Sequence, residues 1–256
     1  MPDAHPVTEE HSVLVERKDG VALITLNRPR VLNALTVSML EALARSIRSE
    51  GGPGGASGVV LTGAGRAFSS GDDLVATDGL DRRGFEEMIE AFQDVTVALT
   101  DTVVPVVAAL NGIAVGGAAE VACACDIRVG GPQSEFLFPE NGLGLTASNG
   151  SSLTLPALVG RRALGLVLLG ERIPAARAFD LGLIDMMVEG DVVDEAVRIG
   201  SDLGSPGRAT SFHLRMLRPP RDALLEALRR EQEIAIEAFE AGAPQAGVRA
   251  FLDRRR

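Results

Sequence analysis

The sequence predicts an α/β fold: strands and helices alternate through about residue 190, and a helical part, 191–256, completes the chain. Three observations predict it. Short runs rich in branched apolar residues, VALITL at 21–26, VVLTG at 59–63 and VVPVVAAL at 103–110, read as strands. Between them, apolar residues recur at helical spacing. Beyond about residue 191 only the helical spacing remains. No fixed-period repeat is present.

Residues 13–17 and 21–26 form two strands, and Asp19-Gly20 between them is a hairpin turn. A helix follows from about 37 to 50, with Leu40, Leu43, Ala44 and Ile47 on one face. GGPGGASG (51–58) is a loop and 59–63 a short buried strand. GAGRAFSSGDD reads as a Gly/Ser-rich turn, and the polar stretch to about Arg83 has the composition of a mobile segment near a site. Residues 85–100 are helical and 103–110 a buried strand. NGIAVGG is a glycine-rich loop that leads into a helix at 118–126. IRVGG and EFLFPE are short strands or turns. Helices follow from Ser148, then an apolar strand at 183–188, then the helical tail.

A chain of 256 residues with 46% hydrophobic and 23% charged residues can bury its own core without disulfide or metal. Acids outnumber bases by 35 to 25, a net charge of −10. That argues against nucleic acid and anionic membrane as partners, while local cations such as Arg28 and Arg30 can still meet a small anion. The leader MPDAHPVTEEHS lacks the apolar core of a signal peptide, and no apolar run reaches the ~20 residues of a membrane helix. The two cysteines, Cys123 and Cys125, diverge on a helix and suit neither a mutual disulfide nor a metal; as sparse reduced thiols they fit a cytoplasmic protein.

Several chemistries lack their residues. Gly63-x-Gly65 has no third glycine and no Gly-Lys-Ser/Thr, so neither a dinucleotide fingerprint nor a P-loop is present. A serine hydrolase needs an imidazole, and the three histidines, His5, His11 and His213, lie in the leader and the tail.

Two carboxylates remain. Asn111–Gly117 is a run of small residues that opens a helix, where first-turn N–H groups have no intrahelical partner. The Gly117 N–H can therefore meet a developing oxyanion. Glu120 lies three residues on and can face the same pocket; a carboxylate there also stabilises a helix start in the ordinary way. Glu140 follows Pro139 in an apolar, glycine-rich stretch. It is either a solvated turn glutamate or, if buried, a proton donor with a raised pKa. The turn Ser70-Gly71-Asp72 offers further backbone N–H groups. Two donors plus two carboxylates suit proton transfer beside a thioester carbonyl.

These segments resemble the enoyl-CoA hydratase/isomerase (crotonase) family over nearly all of 13–256. The resemblance runs through ITLNRPRVLNAL, LTGAGRAFSSGDDL, PVVAALNGIAVGGAAEVACACDIRV, FLFPENGLGL and LVGRRALGLVLLGERIPAARAFDLGLIDMMV. It implies a spiral of ββα units, with a core over 1–190, and a C-terminal helical region over 191–256 that joins subunits into a homotrimer or homohexamer. It implies an acyl-CoA substrate, coenzyme A being part of that substrate, and no separate cofactor. By resemblance, the N–H groups of Asp72 and Gly117 form an oxyanion hole, and Glu120 and Glu140 hydrate a 2-enoyl-CoA. Arg30, Ser70, Gly71, Asp72, Gly116 and Asn149 would contact the substrate. Two departures leave isomerisation or other CoA-thioester lyase or hydrolase chemistry open. An Asp stands at 72, where the family has a small or apolar residue, and TASNGSSLT (146–154) replaces a more Gly-rich pattern.

Overall fold

The computed structural model describes residues 11–254. The leader up to residue 10, with His5, and the last two residues lie outside them. β1 (Val13–Lys18) and β2 (Val21–Leu26) pair antiparallel, Val13 opposite Leu26. Asp19 and Gly20 turn between them at φ 51° and 81°, the two positive values this hairpin needs. α1 (Val37–Gly51) is capped by Thr36, whose hydroxyl accepts from the Met39 N–H, and it buries Leu40, Leu43, Ala44 and Ile47 as expected.

The chain then winds through three strand pairs: β3 (Gly58–Gly63) with β4 (Ala67–Ser69), β5 (Val106–Leu110) with β6 (Ile113–Val115), and β7 (Ile127–Gly130) with β8 (Glu135–Leu137). The first strand of each pair joins a six-stranded sheet and the second a four-stranded one, ordered β4-β6-β8-β9. Helices close each turn: α2 (Leu74–Thr77) and α3 (Arg82–Thr100), then α4 (Gly117–Ala124), then α5 (Glu140–Leu143). This is the expected α/β spiral of ββα units. α6 (Ser151–Val159), α7 (Arg162–Leu169), β9 (Ile173–Pro174) and α8 (Ala175–Leu181) follow, and β10 (Met186–Met187) ends the large sheet beside β7.

Both faces of the large sheet are covered, which explains its uniformly apolar strands. Val59, Leu61, Val106 and Ala108 face the main core under α1 and α3. Val60, Val107 and Ala109 point the other way, onto Val192, Ala196 and Val197 of α9 (Val192–Leu203). The region beyond 191 thus begins with a helix that covers the sheet. α10 (Thr210–Leu217), α11 (Arg221–Glu240) and α12 (Ala243–Asp253) complete it, α11 lying on α3 and α6 and α12 on α5 and α2. Among the described residues no single helix is long and apolar enough to cross a membrane.

Several segments differ from their sequence reading. The turn GAGRAFSSGDD contains β4 and the loop NGIAVGG contains β6, both three-residue strands too short to show a period. β5 starts at Val106, because Pro105 has no N–H to donate to a ladder. Only Met186–Met187 of 183–188 is strand; the N–H groups of Leu183 and Ile184 bond back to the Ala178 carbonyl at the end of α8. Cys125 has left the helix for extended backbone, and both cysteines are buried and free.

Candidate active site

The site forms where β4, β6 and β8 end side by side and their following turns meet. The turn after β4 is fixed from behind by Asn33, fully buried. Its amide donates to the carbonyls of Ala64, Ala67 and Phe68 at 2.9–3.2 Å. Ser69 Oγ donates to the Asn33 carbonyl at 2.7 Å and accepts from the Gly71 N–H at 3.1 Å. Leu35 then bridges the turn in parallel fashion, its N–H donating to the Gly71 carbonyl and its carbonyl accepting from Asp73. Such a bridge takes the groups on either side of residue 72 and directs the Asp72 N–H away from Leu35. Arg28 secures the turn through its 2.9 Å ion pair with Asp73 and is thereby taken out of the cations available to a ligand.

The second wall comes from β6 and α4. Gly116 adopts φ 55°, ψ −131°, a conformation that glycine alone adopts freely, and turns the chain sharply into α4. Gly117 is the first residue of that helix, so its N–H has no partner within the helix. A Cβ on Gly117 would sit 2.6 Å from Phe92 and 2.8 Å from Asp72 Oδ1, and one on Gly71 would sit 2.4 Å from the Val115 carbonyl. Side chains are excluded at both points, and the two turns pack backbone to backbone.

Glu120, one turn into α4, is buried. Its Oε1 accepts from the Ser148 N–H at 3.0 Å. Its Oε2 accepts from the Asn149 amide at 2.8 Å and from the Ser148 hydroxyl at 3.4 Å. Glu140 opens α5 and is also buried, with neither carboxyl oxygen hydrogen-bonded. Burial holds the Glu120 carboxyl well above the usual carboxylate range, and the charge of Glu140 adds to this. Burial likewise lifts Glu140 to about 7, with the charge of Asp72 contributing. Asp72, half-buried with its Oδ1 enclosed and unpaired, is lifted by burial to about 6.

A cleft of about 910 Å³ opens to the surface over these walls. A second cavity of about 30 Å³ continues inward beside it, and Asp72, Gly117, Glu140 and Leu145 line both. Glu120 lines only the inner one. Arg30 is exposed on the rim of the cleft, where Ser70 and Gly116 also line it. Gly71 lies behind, against Val115. Asn149, expected to touch the substrate, lines neither cavity: it is fully buried and holds Glu120 in place. His213 is exposed on α10.

Other contributors escaped the sequence reading. Arg66 and Arg172 join Arg30 at the rim, and Phe251 and Leu252 of α12 reach the cleft from the end of the chain. Glu231 of α11 accepts from the N–H groups of Gly150 and Ser152 at 2.8 and 2.7 Å, fixing the segment that holds Glu120. Arg66 was open to detection as a cation just before the Ser-Ser-Gly turn; nothing local marks Glu231.

Comparisons with known proteins place the chain in a family. The profile of the enoyl-CoA hydratase/isomerase family matches residues 16–256. A probable enoyl-CoA hydratase of Rhodobacter capsulatus is 33% identical, over 96% of this chain and 96% of its own length. A short-chain-enoyl-CoA hydratase of Clostridium acetobutylicum is 30% identical, over 97% of each. Among solved structures, an enoyl-CoA hydratase/isomerase of Mycobacterium paratuberculosis superposes with a TM-score of 0.84 at 30% identity, over 93% of this chain and 98% of that one.

Proposed function

As a member of the enoyl-CoA hydratase/isomerase family this chain is an enzyme of enoyl-CoA thioesters, and we propose that Glu120 and Glu140 together add water across the double bond of a 2-enoyl-CoA. The observation that carries the proposal is the inner cavity. It touches both glutamates, Asp72 and Gly117, so a water held there would lie against both carboxylates.

In this mechanism the thioester oxygen accepts from the main-chain N–H groups of Asp72 and Gly117, which stabilise the enolate charge as it forms. Two buried carboxylates this close resist ionising together, so the pair holds one proton near neutral pH. Burial raises both carboxyls, Glu120 further, and the three donors on Glu120 offset part of that; the mechanism draws on the form of the pair in which Glu120 carries the charge and Glu140 the proton. Glu120 takes a proton from the water as its oxygen bonds to C3. The π electrons move to the thioester oxygen, and Glu140 then gives its proton to C2. Water addition moves no electrons to or from the protein, so the reaction calls for no redox cofactor.

The open cleft suits the rest of the acyl-CoA, with Arg30 and Arg66 at its rim as partners for phosphate, while Arg172 is paired with Glu135 at 2.6 Å. The proposal further takes the active form to be a homotrimer or homohexamer. It sets the enzyme in the cytoplasm, where free thiols such as Cys123 and Cys125 persist.

Hydration of crotonyl-CoA, followed by loss of enoyl absorbance, tests the mechanism. Glu120→Gln and Glu140→Gln are each expected to lower kcat by ~10²–10⁴-fold. Full activity in Glu140→Gln would overturn it. Double-bond isomerisation by the same pair is the second reading, favoured by the third carboxylate at Asp72. It predicts turnover of a 3-enoyl-CoA with little hydration of crotonyl-CoA.

A further inference from the structure

The inner cavity holds more polar atoms than hydration uses. Its wall is largely apolar: Phe85, Met88, Ile89 and Phe92 from α3, Leu145, and Ala235 from α11. Besides Glu140, two further residues present buried oxygens without a hydrogen-bond partner, Asp72 Oδ1 and Thr146 Oγ1. Each buried acceptor left unpaired costs roughly 1–3 kcal/mol, and more when charged, so a matching group on the ligand has much to offset.

Neither oxygen has a task in the water addition. Residue 72 serves the thioester through its main-chain N–H, which any side chain would leave in place. Its carboxylate lies over the glycine opposite, Oδ1 being 2.8 Å from where a Cβ on Gly117 would stand. With the thioester oxygen on the two N–H groups, as proposed, an acyl chain that enters the inner cavity meets this carboxylate, because Asp72 and Gly117 line it together. Thr146 lines the same cavity, six residues after Glu140.

We infer that Asp72, with Thr146 in the same cavity, selects an acyl group carrying a hydroxyl on the carbon next beyond the double bond, as in a 4-hydroxy-2-enoyl-CoA. The hydroxyl donates to Asp72 Oδ1 and accepts from Thr146 Oγ. A purely apolar tail leaves the Asp72 carboxylate buried and unpaired, and a carboxylated tail brings a second negative charge against it. This inference rests on the proposed function for where the acyl group lies.

Two measurements test it separately from the reaction. The first is kcat/KM for hydration of 4-hydroxycrotonyl-CoA against crotonyl-CoA. The second is calorimetric binding of the saturated pair, 4-hydroxybutyryl-CoA against butyryl-CoA, which has no double bond to hydrate. The wild type is expected to prefer the hydroxylated member of each pair by about 10- to 100-fold, the span of a hydrogen bond to a charged group. Asp72→Ala is expected to bring both ratios close to one, and Thr146→Val to lower them partway. Equal treatment of the two members by the wild type overturns the inference, as do ratios that Asp72→Ala leaves unchanged. If neither enoyl-CoA is hydrated but the saturated pair shows an Asp72-dependent preference, hydration fails and the inference stands. If both are hydrated and bound alike, the inference fails and hydration stands.

Discussion

Glu140 has two buried oxygens with no partner, and its carboxyl is held at about 7. A glutamate in an unfolded chain ionises near 4.3. Between these values the folded protein keeps a proton that the unfolded chain has released. The stability this provides is complete below the unfolded value and is lost as pH rises through about 7. The shift corresponds to roughly 4 kcal/mol. Glu140→Gln removes the titration, so its Tm is expected to exceed that of the wild type by several degrees at pH 8 and to match it near pH 4.5. Thermal unfolding across that range checks this, and a variant that melts lower at pH 8 contradicts it. The two glutamates and Gly117 were legible as candidates because each sits in a local pattern: a glycine run opening a helix, a glutamate after proline. Asn149 was legible as an oddity and misread in its contact. Its partner Glu120 lies 29 positions away, and only the fold shows that the amide turns inward to the carboxylate.

At the scale of elements, α11 reaches the site through one side chain. Glu231 accepts from Gly150 and Ser152 at the start of α6, and the residues just before hold Glu120. Thr96 of α3 adds a bond from its hydroxyl to the Asn149 carbonyl at 3.1 Å. Glu231→Ala leaves the buried Gly150 N–H and the part-buried Ser152 N–H without their acceptor and is expected to cost ~1–3 kcal/mol of stability. It should lower kcat as well, with Glu231→Gln retaining part of both. If Tm falls while kcat does not, α11 anchors α6 without positioning Glu120. This link spans 81 residues and leaves no local trace in the sequence. The long elements were legible because burial marks them: continuous apolar runs in β2, β3 and β5, covered on both faces, and a helical period in α1 and α3. The three-residue strands of the small sheet show neither, yet they carry the turns on which the site is built.

For the molecule as a whole, α10 leaves Phe212, Met216 and Leu217 66–78% exposed. The proposed homotrimer or homohexamer would give these side chains a surface to be buried against. Light scattering is expected to give a mass of about 80 or about 160 kDa, a closed trimer or a pair of trimers. Phe212→Asp with Met216→Asp is expected to shift the mass toward that of one chain, 26.8 kDa. An unchanged mass would move the interface elsewhere. The spiral was legible only through the family motifs taken together, since strand order depends on pairings between distant segments. The tail was legible as helical, but not its division of labour, with α9 covering the sheet, α11 bracing the site and α12 closing one side of the cleft.

The bridge from Leu35 to the turn at Asp72 has a consequence for evolvability. It grips the main chain on both sides of residue 72 and asks nothing of the side chain between. Mutation can therefore exchange that side chain while the peptide group stays where it is. Substrate preference can drift through a single codon, whereas Gly71, pressed against Val115, has no such freedom. Saturation mutagenesis at position 72 should yield folded proteins that differ chiefly in which acyl groups they accept.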